Sequence, residues 1–176
     1  KVEKNNGDGT FELLDTFEEG MDVGNNGTPD TQVSTIEELR KVDPSMGTVT
    51  VTGYYTEGDA PVRMYMWDPD STNTIDGGYV IGSDISDTGR WILIWDDEMI
   101  PCTVYGIIPG AYEENISKFL NFPLTVGTKA IATARICRFI AGEYSTTQNY
   151  YTNKTLYFDS GAKFPNGYFS CRNAII

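Results

Sequence analysis

From residue 49 to residue 95 apolar and polar residues alternate in short runs, and each run is broken by residues that turn the backbone. Val49-Thr50-Val51-Thr52-Gly53-Tyr54-Tyr55 has a period of two, which recurs at Val62, Met64 and Met66 and along Trp91-Ile92-Leu93-Ile94-Trp95. Between these runs lie Thr56 to Pro61, Pro69 to Gly78 and Ser86 to Gly89, all rich in Gly, Pro, Asp, Asn and Ser. Such a stretch predicts a compact antiparallel meander, with Val51, Met64, Val80 and Leu93 in its core. Eleven Tyr, eight Phe, three Trp and 18 Gly suit a mainly β chain better than a helical one.

The flanks of this region read differently. Residues 1–32 hold two turn-rich segments around Thr10-Phe11-Glu12-Leu13-Leu14, which has too little apolar surface to fold alone and reads as an extended arm. Such an arm either lies along a neighbour or serves as a linker. Ser34-Thr35-Ile36-Glu37 has the form of a capping box and predicts a short helix through Leu39 and Val42, stopped at Asp43-Pro44. Ile116, Phe119 and Leu120 stand at helical spacing and predict a second short helix within 113–122. Beyond Leu124 the expected β-runs are 130–133, 136–140, 155–158 and 168–171, with no fixed period visible between them.

The gapped motifs within and after the alternating region carry a family resemblance. Gly53-Tyr54-Tyr55, Gly58-Asp59, Tyr65-Met66-Trp67-Asp68, Asp76-Gly77-Gly78-Tyr79-Val80-Ile81 and Gly89-Arg90-Trp91 occur in that order. The series resembles the N-terminal head of pectate-lyase-like β-helix proteins, as found on phage tail spikes and on secreted or surface proteins of gut bacteria. Tyr105-Gly106 continues it. Glu113-Glu114-Asn115 stands where that family shows paired aspartates, and Ile108-Pro109-Gly110 replaces its Gly-Asp-Gly. The resemblance implies a small antiparallel β head followed by the start of a right-handed parallel β-helix, with two short helices. The implied division is an arm over 1–32, a head over 33–97, and a connector helix with first coils over 98–176. It further implies a structural and attachment module of a spike or fibre on a virion or cell surface, with homotrimers, virion proteins and host glycans as partners. The alternative is the front part of a secreted polysaccharide lyase or glycoside hydrolase whose active residues lie on later coils.

Composition narrows the chemistry. Thirteen Lys and Arg against 25 Asp and Glu give a formal charge of −12, which repels a phosphate backbone and argues against nucleic-acid binding. The chain has no His, so it lacks the commonest zinc ligand and every triad that needs an imidazole. Asp96-Asp97-Glu98 and Glu113-Glu114 are adjacent acids of the sort that loops keep solvated, and no catalytic residue is assigned. Cys102, Cys137 and Cys171 are odd in number and sit in apolar or aromatic settings, which favours buried thiols over a disulfide. No apolar run has the length of a membrane span. An initial Lys, and the apolar ending Ala174-Ile175-Ile176, are expected of a processed chain or of a piece of a longer one.

Two clusters remain as candidate sites. Asp68, Asp70 and Asp76, with Asn73 between them, form the densest set of oxygen ligands, and calcium is the cation such a set would take. Counted from Asp68, however, the Gly and Glu of an EF-hand loop are replaced by Asn73 and Tyr79, and the same residues also make turns. No other cofactor is expected. Trp67, Arg90 and Trp91 form the second cluster, either as stacking and hydrogen-bonding partners for a carbohydrate or as core aromatics with an Arg packed on a ring.

Overall fold

In the computed structural model the described residues are 3–5, 11–13, 31–110, 113–121, 125–126, 129–130, 136–144, 149–152, 154–166, 168–170 and 173–175. Within the expected arm, Glu3–Asn5 (β1) pairs antiparallel with Phe11–Leu13 (β2). Thr31 and Gln32, at the end of the expected arm, belong to the main sheet, while 1–2, 6–10, 14–30, the 131–133 run and Cys171 lie outside the described residues.

The alternating region forms one sheet. Its strands are Thr31–Val33 (β3), Thr48–Val51 (β4), Arg63–Asp68 (β5), Val80–Ile81 (β6) and Arg90–Ile94 (β7), in spatial order β3-β4-β5-β7-β6. Each neighbouring pair among the last four is antiparallel, and β3 adds to β4 in parallel. This is not a simple meander. The chain leaves β5, runs past the place beside it through the 69–78 loop to form the outer strand β6, and returns as β7 between the two.

Val51, Val80 and Leu93 are in the core as expected, but Met64 is 42% exposed. On β5 the inward residues are Arg63 and Tyr65, so the face of this strand is the reverse of the one read from Val62, Met64 and Met66. A period of two fixes which residues share a face without fixing which face is buried. Arg63 can face inward because its guanidinium donates to the Tyr65 hydroxyl (3.2 Å), the Pro61 carbonyl (3.0 Å) and the Gly53 carbonyl (3.2 Å).

Helix Ile36–Arg40 (α1) covers one side of the sheet with Ile36 and Leu39. Its cap lies one residue later than the sequence suggested. Thr35 is the N-cap and its hydroxyl accepts from the Glu38 N–H at 3.1 Å, while the Glu38 carboxylate accepts from the Ser34 N–H at 2.7 Å. The helix also ends before Val42, and a 3-10 turn, Pro44–Met46, follows.

Beyond the sheet the pairing becomes parallel. Met99–Pro101 (β8) leads into a 3-10 turn, Cys102–Tyr105, and helix Glu113–Leu120 (α2), which buries Ile116, Phe119 and Leu120 as expected. A small hairpin, Thr125–Val126 (β9) with Lys129–Ala130 (β10), precedes Ile136–Phe139 (β11), Gly142–Glu143 (β12) and Asn149–Tyr151 (β13). Thr155–Phe158 (β14), Ala162–Lys163 (β15) and Tyr168–Ser170 (β16) repeat that order, and Asn173–Ile175 (β17) begins it again. β11 pairs in parallel with β14, β12 with β15, and β13 with β16, so the chain climbs by about 19 residues per circuit. β8 and β17 extend the first ladder, giving the order β17-β14-β11-β8.

Aromatic rings mark the same repeat. Phe139 stacks on Phe158, Tyr144 on Phe164 and Tyr150 on Phe169, with centroids 5.6, 4.9 and 5.3 Å apart. Each pair joins equivalent places on successive circuits, and the offset stacking adds to the burial of area. On the outside, Arg138 grips Asp159 of the next circuit through two hydrogen bonds of 2.9 and 3.0 Å. A single buried cluster runs from Ile36 through the sheet, the Cys102–Tyr105 turn and α2 to Leu156.

Candidate functional site

Tyr54, Tyr65, Asp76, Gly77 and Gly78, from the motifs of the alternating region, meet Tyr105 at the joint between the sheet and the parallel circuits. Asp59 lies at the far end of a tight loop, and its carboxylate accepts from the backbone N–H of Tyr54 (2.5 Å), Tyr55 (2.9 Å) and Thr56 (3.0 Å). One short acid thereby satisfies three donors that no strand ladder reaches, and it fixes the directions of both tyrosines. The Tyr54 hydroxyl then donates to the Gly77 carbonyl (3.0 Å), and the Tyr65 hydroxyl donates to the Gly78 carbonyl (2.7 Å).

Asp76 completes the joint. One carboxylate oxygen accepts from the N–H groups of Gly78 and Val80, both at 2.9 Å, and the other accepts from the Tyr105 hydroxyl at 3.0 Å. Burial pushes this carboxyl above its ordinary 3.8, and the donors from Val80, Gly78 and Tyr105 offset only part of that rise. The Tyr105 hydroxyl is pushed up as well, first by burial and then by the neighbouring Asp76 charge. Two glycines admit the rings. A Cβ at Gly78 would lie 2.4 Å from the Tyr105 ring, and one at Gly106, where φ is 68°, would lie 2.4 Å from the Tyr54 ring.

Against this arrangement the two candidate clusters separate. Asp76 is committed to the joint, whereas Asp68 bonds the Asp70 N–H at 3.1 Å in a local turn. Among the described residues no three His, Cys, Asp or Glu side chains gather to hold a metal ion, so the expected trio is not assembled as one ligand set. Trp91 is fully buried and meets Trp67 edge-on at 5.1 Å, which leaves the Trp91 ring no open face for a sugar. Trp67 is half-buried on the same packing, and Arg90 turns back to donate to the carbonyls of Asn73 (3.2 Å) and Gly89 (2.5 Å). Arg90 thus braces the 69–78 loop from beneath, through carbonyl oxygens instead of a carboxylate.

Cys102 and Cys137 are buried free thiols, as expected, and burial pushes the Cys137 thiol up to about 12. Lys154 is buried beside it, and burial draws its ammonium down to about 8.

The sequence reading passed over Tyr54, Asp59, Arg63 and Tyr105 as site residues. Their signal was the pair of glycine motifs that make room for rings. It also passed over a cavity of about 360 Å³ between α1 and the Tyr54-Tyr55 turn, lined by Thr35, Ile36, Glu37, Arg40, Tyr54, Tyr55 and Asp84.

With this geometry in view, comparison with known proteins is informative for part of the chain. Residues 32–96 match the family described as "Phage tail protein small four-stranded beta-sheet domain", a span that holds the four antiparallel strands β4, β5, β6 and β7. No curated protein matches the sequence. Among solved structures, the chain is similar to tailspike protein gp49 of Acinetobacter baumannii bacteriophage Fri1, a capsular polysaccharide depolymerase, at 21% identity and a TM-score of 0.56. The likeness covers 74% of this chain and 23% of the tailspike, so the chain spans about a quarter of that protein's length. A phage-tail type of β-sheet domain and a mainly β, tailspike-like fold are therefore what this chain shares with known proteins.

Proposed function

We propose that this chain is the head and first coils of a right-handed, pectate-lyase-like parallel β-helix, serving as a structural and attachment module of a phage tail spike or fibre. In this reading residues 33–97 are the head, 98–176 the connector and first coils, and 1–32 an arm that lies along a neighbour in the virion. The head anchors a longer body, as a homotrimer, and the assembly meets a glycan on the host surface.

The observation that carries the reading is the joint. Asp76, Gly77 and Gly78 are clamped by Tyr54 and Tyr65 from the sheet and by Tyr105 from the connector, and one hydrophobic cluster passes through them. A joint of this kind keeps a body in line with its anchor, whereas a polar, loosely packed one would let the two move independently. The family match over 32–96 and the tailspike-like fold support the same reading.

The test is the state of the native polypeptide. Light scattering at physiological salt is expected to give a trimer, and gold-labelled antibodies to residues 33–97 are expected to mark the tail of intact virions. A monodisperse monomer with its later coils present, or label absent from the tail, overturns it.

A second reading has one observation in its favour, the likeness to a capsular polysaccharide depolymerase. There the chain is the front part of an enzyme, and it supplies alignment while later coils supply the acids that cleave the glycan. Depolymerisation of capsular polysaccharide by the full-length protein, retained after substitution of every acid in 33–97 that is not buried, is the result this reading expects.

A further inference from the structure

We propose that the cavity between α1 and the Tyr54-Tyr55 turn is a binding site for one neutral pyranose ring, distinct from the Trp67, Arg90 and Trp91 cluster. The inference deepens the attachment reading above, on which its biological meaning rests, by giving a place and a chemistry to the glycan contact.

The cavity has a built wall. Asp59 fixes the Tyr54-Tyr55 backbone through its three hydrogen bonds, and the Ile36 N–H donates to the Tyr54 carbonyl (3.0 Å), which holds α1 against the turn. On the opposite side the Asp84 N–H donates to the Arg40 carbonyl (2.8 Å), so the loop carrying Asp84 is pinned to the end of the same helix. At about 360 Å³ the space falls at the small end of the range for pockets that take compact ligands.

Its lining sets the chemistry. Tyr55 is 46% exposed and meets Tyr54 at 67°, so an aromatic surface borders the opening on one side. Sugars place their C–H faces on such rings, because the face is apolar and electron-rich. Across from it, Arg40 donates through both Nε (3.0 Å) and Nη2 (2.6 Å) to a single oxygen of Asp84. That leaves Asp84 Oδ2 and Arg40 Nη1 without partners among the described residues, an acceptor beside a donor. A hydroxyl both donates and accepts, and two neighbouring hydroxyls match that pair.

Charge selects against an acidic sugar. Arg40 is already paired with Asp84, and Lys41 with Glu37 at 2.7 Å, while Glu38 adds a further acid on the same helix. Both of these cations are thus already neutralised by an acid, so a uronate carboxylate would meet the like charge of Glu37, Glu38 and Asp84, which costs binding.

The experiment is an amide-shift titration of the intact 176-residue chain with the methyl glycosides of glucose, galactose, mannose and N-acetylglucosamine, with methyl glucuronide as the charged comparison. At least one neutral glycoside is expected to give saturable shifts at Tyr55, Ile36 and Arg40 in the millimolar range, with methyl glucuronide at least tenfold weaker. Tyr55→Ala and Asp84→Asn should each abolish saturation, while Tyr55→Phe should keep it, and unchanged β4, β5 and β7 amides certify the fold of each variant. No saturable shift with any neutral glycoside, shifts confined to other residues, equal response to the glucuronide, or full response in Tyr55→Ala each overturns the site. Scattering and virion labelling need no sugar in this cavity, so its failure leaves the attachment reading standing, and the reverse also holds.

Discussion

At Gly78 the backbone passes under the Tyr105 ring with no room for a side chain, since an added Cβ would lie 2.4 Å from the ring carbons. Tyr105 cannot swing away without giving up its hydrogen bond to Asp76 and its tilted contact with Phe119 at 5.4 Å. Gly78→Ala should therefore destabilise the protein by about 1–3 kcal/mol, as overpacked cores do, and a shifted urea midpoint at constant slope would register it. Asp76 beside it gives a pH signature. Its folded value is raised above 3.8, so between 3.8 and that higher value the folded chain binds more protons than the unfolded one. The group's contribution is fully present below 3.8 and is lost as pH climbs through the folded value, the reverse of a carboxylate held by a cation. Urea midpoints from pH 3 to 7 are expected to carry this falling component in the native chain and to lose it in Asp76→Asn. An Asp76→Asn profile identical to that of the native chain would contradict the buried, raised carboxyl.

The strands obey the alternation of the sequence, and β5 shows what alternation leaves open. Its two faces are Met64 and Met66 on one side and Arg63 and Tyr65 on the other, and hydropathy alone selects the methionines for the core. The chain buries the other pair, because three acceptors surround the Arg63 guanidinium and the Tyr65 hydroxyl finds the Gly78 carbonyl. Pro61 and Tyr65 are neighbours of Arg63, but the Gly53 and Gly78 carbonyls lie 10 and 13 residues from the groups they accept from, so the strand's own window does not contain them. Met64→Ser on the outer face should change stability by no more than about 0.5 kcal/mol. Leu93→Ala, at the position paired with Tyr65 across the β5–β7 ladder and 1% exposed, should cost about 2–5 kcal/mol. Thermal melts of the two variants decide between the faces, and the opposite ranking would restore the methionine core.

The two helices and the strands at 136–139, 155–158 and 168–170 were legible from spacing and turn residues. The circuits were not, since apolar periodicity within a strand of three or four residues says nothing about its partner. The repeat is nevertheless written in aromatics: Phe139, Tyr144 and Tyr150 return as Phe158, Phe164 and Phe169. Equally, the glycines at 78 and 106 announced close approach, but only the assembled joint reveals which rings approach.

Across the whole molecule, all three tryptophans lie in or next to the antiparallel sheet, whereas the parallel circuits are lined by Phe and Tyr. Tryptophan fluorescence therefore reports one end of the molecule and far-ultraviolet dichroism reports both. Because one buried cluster links Ile36 to Leu156, the two signals should trace a single coincident unfolding transition in urea. Two separated transitions would mean that the joint does not couple its halves.

The ladder β17-β14-β11-β8 begins on a strand that the sheet domain already holds in place, since β8 follows directly from it and precedes the turn that carries Tyr105. In a one-dimensional cooperative array the hardest step is the first unit, which must order itself before any neighbour exists to reward it. Here that unit is supplied ready-made. β8 acts as a fixed boundary condition, so each later circuit is an act of propagation along a lattice whose phase, direction and starting point have already been chosen.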